Sequence, residues 1–161
     1  MPPAIAFRPI EPDDMVFLCE VYASTRLDEL AVTGWSTAQV DAFLRMQFDA
    51  QHQHYQTHYP DASFQVILQE GHPIGRLYVA HWEYEIRLID IAMLPAYRRA
   101  GIGTAILKDL LAAAAAAGKP VRIHVEKFNP ALRLYNRLGF AAIADKGVYL
   151  FMEWTAGAGV R

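Results

Sequence analysis

The chain has 161 residues, 53% hydrophobic and 20% charged, with a formal net charge of −2 and a single cysteine. That composition suits one compact domain with a real core and excludes a disordered chain. The near-neutral charge excludes a global pull toward nucleic acid or anionic membrane, so any basic site must be local.

No apolar run approaches the roughly 20 residues that span a bilayer. The first nine residues lack the basic and apolar regions of a signal peptide. Cys19 has no partner for an internal disulfide, and its apolar surroundings predict a buried rather than a reactive thiol. Together these predict a cytoplasmic protein without membrane or nucleic-acid partners, a single domain over residues 1–161 with a loose tail from Thr155.

In chain order, Ala4 to Pro9 reads as a short strand stopped by Pro9 and Pro12. Asp13 or Asp14 caps a first helix through about Leu27, with Val16, Leu18, Val21, Tyr22 and Leu27 near helical spacing. Thr37 to Tyr59 reads as a second helix, with Val40, Phe43, Leu44 and Phe48 on one face. Strands follow at Ser63–Gln69, Gly75–Trp82 and Ile86–Met93, the first two joined by Glu70-Gly-His-Pro73. Gly103 to Ala117 is an alanine-rich helix with Ile106, Leu107, Leu110 and Leu111 as its packing stripe, ended by Gly118 and Pro120. Val121 to Val125 is a strand. Asn129 as cap and Pro130 at the first position open a helix that ends at Gly139. Phe140–Ala144 and Val148–Trp154 form a hairpin around Asp145-Lys-Gly147. The order gives one mixed sheet covered by helices, an α/β or α+β sandwich.

The chemistry concentrates in Leu94-Pro-Ala-Tyr-Arg-Arg-Ala-Gly-Ile-Gly-Thr104, which places two arginines and two glycines at the mouth of a helix. Exposed N–H groups and the positive dipole end favour an anion such as a pyrophosphate there. The spacing fails a Walker A loop, because Gly101 and Gly103 do not leave four residues before a Gly-Lys-Ser/Thr. A dinucleotide fingerprint wants glycine or alanine where Ile106 stands, although Glu126 lies at a workable distance for a ribose contact.

Arg98-Arg99-Ala100-Gly101-Ile102-Gly103 instead resembles the acyl-CoA signature R/Q-x-x-G-x-G/A of the GCN5-related N-acetyltransferase superfamily. Asn129-Pro-Ala-Leu-Arg-Leu-Tyr135 with Leu138-Gly-Phe140 resembles that family's next motif, at the usual distance. The resemblance is specific over about Ile86 to Phe140 and rests on element order alone over the first 60 residues. It implies the acyl-CoA N-acyltransferase fold: a mixed, mostly antiparallel twisted sheet of about seven strands with about four helices. It also implies acetyl transfer from acetyl-CoA, without a metal, to the primary amine of a small molecule or a peptide. By the same resemblance, backbone N–H groups of Arg99, Ala100, Gly101, Ile102, Gly103 and Thr104, with Arg98, cradle the pyrophosphate. Ile91 and Met93 run beside the pantetheine, and a backbone N–H there holds the thioester oxygen. Asn129 contacts the pantetheine arm, and Tyr135 protonates the departing thiolate. For the base, Glu85 sits near one family position, His124 matches another, and a water chain to Glu83 or Glu85 also serves. Such enzymes are often homodimers, with the C-terminal strand a candidate contact.

Other residues have plainer readings. His52, His54 and His58 fit a solvated or substrate-facing surface better than a metal site, since only Asp49 and Asp61 lie near them in sequence. Trp35 and Tyr55 line the acceptor wall or belong to the core. Asp90 organises strand or substrate contacts. Three alternatives stay open: transfer of a longer acyl chain, a CoA-binding domain that senses without catalysis, and a dinucleotide module that takes NAD.

Overall fold

A computed structural model describes residues 4–157, so the expected loose tail lies outside it from residue 158 onward. Strand β1 (Ile5–Pro9) leads through a 3₁₀ turn at Pro12–Asp14 into α1 (Met15–Ser24), α2 (Leu27–Leu30) and α3 (Thr37–His58). Strands β2 (Ser63–Gln69), β3 (His72–His81) and β4 (Ile86–Met93) follow, then α4 (Ile102–Ala117), β5 (Val121–Glu126), α5 (Leu132–Arg137), β6 (Ala141–Asp145) and β7 (Tyr149–Trp154). The strands form one mixed sheet in the order β1-β2-β3-β4-β5-β7-β6. The pairs β1–β2, β5–β7 and β6–β7 are antiparallel, and β4–β5 is parallel. This is the seven-stranded mixed sheet the sequence predicts. The described residues hold five α-helices rather than about four, the extra one being the single turn of α2.

The chain divides into two compact units. One takes the residues up to Tyr78 together with Asp90–Arg98, the other Val79–Ile89 together with the residues from Arg99 on.

In the first unit, Leu18 and Tyr22 of α1 pack on Leu44 and Phe48 of α3, all buried. The predicted first helix is cut short at Ser24. There the Ser24 hydroxyl donates to the Val21 carbonyl at 2.7 Å and Thr25 to that of Tyr22 at 2.6 Å, competing with the helical ladder. Arg8 grips Asp14 through two hydrogen bonds of 2.7 and 2.8 Å, tying β1 to the entry of α1. The N-terminus of α3 is closed by a capping box: Ser36 accepts from the Gln39 N–H, and the Gln39 side chain accepts from that of Ser36. Trp35 stays exposed and meets Phe43 edge-on, whereas Tyr55 packs against the buried ring of Tyr78.

In the second unit, α4 buries Ile106, Leu107, Leu111 and Ala114 and ends at Gly118, whose φ of 68° suits the left-handed cap. Strand β5 buries Val121, Ile123 and Val125 and turns Arg122, His124 and Glu126 to the other face. Helix α5 is shorter than predicted. Asn129 and Pro130 sit in a turn before it, where the Asn129 side-chain oxygen accepts from the Ala131 N–H at 2.9 Å. The Leu132 N–H in turn donates to the Asn129 carbonyl at 3.0 Å, so a hydrogen-bonded turn precedes the regular helix, which starts at Leu132.

Candidate active site

The first unit carries the strand end that leads into the glycine loop. Leu94 N–H donates to the Ile74 carbonyl at 2.8 Å, holding the exit of β4 against β3. At Gly75 an added Cβ would collide with the Ala92 carbonyl oxygen and come within 2.8 Å of Met93 Cγ, so only glycine permits this approach. Ile91 and Met93 are half-buried. After a 3₁₀ turn at Pro95–Tyr97, the Arg98 guanidinium donates to the Met93 carbonyl and to the Ser24 hydroxyl, both at 2.9 Å. Arg98 thus ties its own loop to the end of α1, a role its place in the motif did not announce.

The same unit buries a polar cluster. Arg76 is 3% exposed, paired with Asp90 and donating to the Gln51 side chain at 2.8 Å. Burial, the largest single influence, works against its charge, but Asp90 together with Tyr78 and Tyr55 outweighs it and keeps the guanidinium protonated. Asp90 therefore anchors β4 by an ion pair. His54 and His58 stack on each other at 4.0 Å, and among the described residues no three metal-ligating side chains cluster.

In the second unit the loop enters α4 through two left-handed residues, Arg99 (φ 62°) and Gly101 (φ 81°). The first helical bond runs from the Ala105 N–H to the Gly101 carbonyl at 3.0 Å. Helix geometry leaves the N–H groups of Ile102, Gly103 and Thr104 without intrahelical acceptors, and no acidic side chain stands in the first turn. Ala100 and Gly101 are exposed beside them, and so is Arg99. This is an electropositive helix mouth that suits a phosphate group.

A second constellation lies on the outward face of β4, β5 and β7. The parallel ladder of β4 and β5 joins Ile86 to Val121 and Arg87 to Arg122. Glu85 accepts from Arg87 Nε and from Arg122 Nη1, each at 3.0 Å, and Glu153 accepts from Arg122 Nε at 2.8 Å. His124 stacks on Phe151 at 4.4 Å, and Lys146 Nζ lies 3.4 Å from its Nε2. An ammonium only donates, so this contact is a hydrogen bond in the tautomer that carries its ring proton on Nδ1. Burial first, then Arg87 and Lys146, hold His124 below its ordinary value of 6.5 and so keep it neutral. Arg87, held by Glu85, lies 5.0 Å from the centre of the Phe151 ring on which His124 stacks. Sequence reading missed Arg87, Arg122, Lys146 and Phe151. The period-2 spacings Glu85-x-Arg87, Arg122-x-His124 and Phe151-x-Glu153 were the signal.

Tyr135, on α5, is 3% exposed and meets the Phe140 ring edge-on at 5.5 Å. Asn129 is exposed.

The acetyltransferase (GNAT) family model matches residues 25–140. No curated protein matches the chain. Among solved structures it is similar to the PaiA N-acetyltransferase of Thermoplasma acidophilum, determined with coenzyme A. They share 18% identity over 94% of this chain and 99% of that one, with a TM-score of 0.70. It is similar to the ribosomal-protein-S18-alanine N-acetyltransferase of Escherichia coli at 18% identity, 94% of each chain and a TM-score of 0.61. It is also similar to yncA of Salmonella typhimurium, determined with its cofactor acetyl-CoA, at 23%, 94% of each chain and 0.55. At these identities the structures speak for the fold.

Proposed function

The chain belongs to the acetyltransferase (GNAT) family, and on that premise we propose that it moves the acetyl group of acetyl-CoA to a primary amine by direct attack. The observation that carries this reading is the mouth of α4: left-handed Arg99 and Gly101, open N–H groups from Ile102 to Thr104, and no acid in the first turn. These groups would hold the CoA pyrophosphate, with Arg99 beside them and Arg98 fixing the loop. Ile91 and Met93 would flank the pantetheine, and Asn129 would contact it. The backbone near Ile91 would receive the thioester oxygen as the amine nitrogen bonds to the carbonyl carbon. As the intermediate collapses, the carbon–sulfur bond breaks and Tyr135 gives its phenolic proton to the thiolate.

His124 would take the proton from the incoming ammonium, freeing the amine lone pair for attack. Its neutral imidazole supports that role, since a base must enter the reaction unprotonated. Glu85, the other candidate, would act by holding Arg87 and Arg122 in place, because both its oxygens already accept from them.

Calorimetric titration with acetyl-CoA tests the reading. Wild-type protein binds, and Gly101→Asp loses about tenfold or more in affinity because its carboxylate faces the pyrophosphate. Gly101→Asn keeps most of the affinity, since asparagine accepts a left-handed φ without adding charge. Equal binding by the Asp and Asn variants, or none by folded wild type, would overturn the assignment.

A further inference from the structure

The aromatic clamp around Arg87 suggests which amines the enzyme selects. We infer that the acceptor carries an anionic group close to its amine, and that Arg87 and Lys146 receive that group beside His124. This deepens the acetyltransfer reading and rests on it.

Three observations on one face of the sheet carry the inference. The Arg87 guanidinium lies 4.9 Å from the Trp82 ring centre and 5.0 Å from that of Phe151, with Nε donated to Glu85. Two rings and one carboxylate fix its plane, yet among the described residues its terminal nitrogens make no hydrogen bond. That leaves the pair of parallel donors that carboxylate and phosphonate groups accept. A guanidinium already fixed in orientation loses little freedom on binding.

The charges beside it form a chain of ion pairs. Glu85 bridges Arg87 and Arg122, and Glu153 closes the chain on Arg122, so two arginines meet two carboxylates. Lys146 stands outside that chain. It faces the Phe151 ring at 4.9 Å and the His124 nitrogen, while its neighbour Asp145 is held by Lys127 at 2.7 Å. The Lys146 ammonium therefore sits next to the imidazole, with Glu126 two residues along β5 on the same face.

The short separation of Lys146 and His124 sets the shape of the ligand. Lys146 Nζ stands 3.4 Å from His124 Nε2, the nitrogen a base would use. An anion arriving between Arg87 and Lys146 draws the ammonium toward itself and frees Nε2 for the amine. An acceptor whose acid stands close to its amine can reach both groups at once. An α-amino acid meets that requirement, and so does an aminoalkylphosphonate. A simple alkylamine leaves Lys146 on the imidazole.

The test pairs acceptors that differ only in the acid. Phenylalanine against phenethylamine, methionine against 3-(methylthio)propylamine, and aminoethylphosphonate against ethylamine are acetylated at saturating acetyl-CoA. At least one acid-bearing member exceeds its partner by about fiftyfold or more in kcat/KM. Arg87→Met, which keeps an apolar stem between the rings, erases that preference mainly through KM. Lys146→Met, on an exposed residue, reduces it. The phosphonate arm separates phosphonate from carboxylate recognition.

A second readout does not depend on turnover. Trp82 fluorescence, isolated by difference against Trp82→Phe, shifts as the preferred acid titrates the protein without cosubstrate. Arg87→Met abolishes the shift. Failure to bind acetyl-CoA would remove the acetyltransfer reading while the fluorescence titration still judged the anion site. Amines that turn over as well as their acid-bearing partners, or a fluorescence signal that ignores every acid, would overturn the inference.

Discussion

His124 shows how one residue's surroundings set its chemistry. A strand histidine is most often plain packing, and its ring does stack on Phe151. Burial, Arg87 and Lys146 all disfavour its protonated form, and Glu85 only partly offsets them. The folded protein therefore prefers the neutral imidazole more than the unfolded chain does. Its contribution to stability is complete above 6.5, the ordinary histidine value, and is lost as pH falls through the lower folded-state value. NMR titration of the His124 ring protons is expected to give a midpoint below 6.5, moving upward in Lys146→Met. A midpoint at or above 6.5 in the wild type would remove the neutral base from the mechanism. None of this was legible in the sequence, because Lys146 and Arg87 stand far from His124 along the chain. Arg98 teaches the same lesson: the motif marks it for phosphate, but its reach to Ser24 is a contact only the fold supplies.

At the scale of elements, what was legible is what depends on neighbours in sequence. The stripe of α4 with its Gly118 stop, the alternation of β5, and the hairpin turn where Asp145 accepts from the Gly147 N–H all follow local rules. The helix near Asn129 did not, because an asparagine before a proline can serve an Asx turn as well as a cap. The join of β3 to the end of β4 was equally hidden. Gly75 reads as an ordinary strand start, yet its missing side chain lets the Ala92 carbonyl and Met93 approach. Gly75→Ala forces two backbones apart and is expected to cost about 1–3 kcal/mol in a urea titration. It should also weaken acetyl-CoA binding, since the displaced residues flank the proposed pantetheine path. An alanine variant with wild-type stability would mean that the strands give way freely.

For the molecule as a whole, the competing readings differ in which ligand the folded state prefers. A ligand that binds only the folded chain stabilises it by mass action, about 2.7 kcal/mol at a hundred times its Kd. For a chain of this length each kcal/mol moves Tm by roughly 2–4 °C. Acetyl-CoA at that excess is therefore expected to raise Tm by roughly 5–10 °C. NAD at the same concentration should leave it unchanged, because the loop before α4 lacks the early glycine and the small residue at Ile106 that a dinucleotide needs. Stabilisation by NAD and not by acetyl-CoA would reverse the assignment of the loop. Equal stabilisation by CoA and acetyl-CoA, without turnover of any amine, would instead favour a sensor that reads the cofactor. The three outcomes separate because they ask what the helix mouth holds before asking what the sheet face does with it.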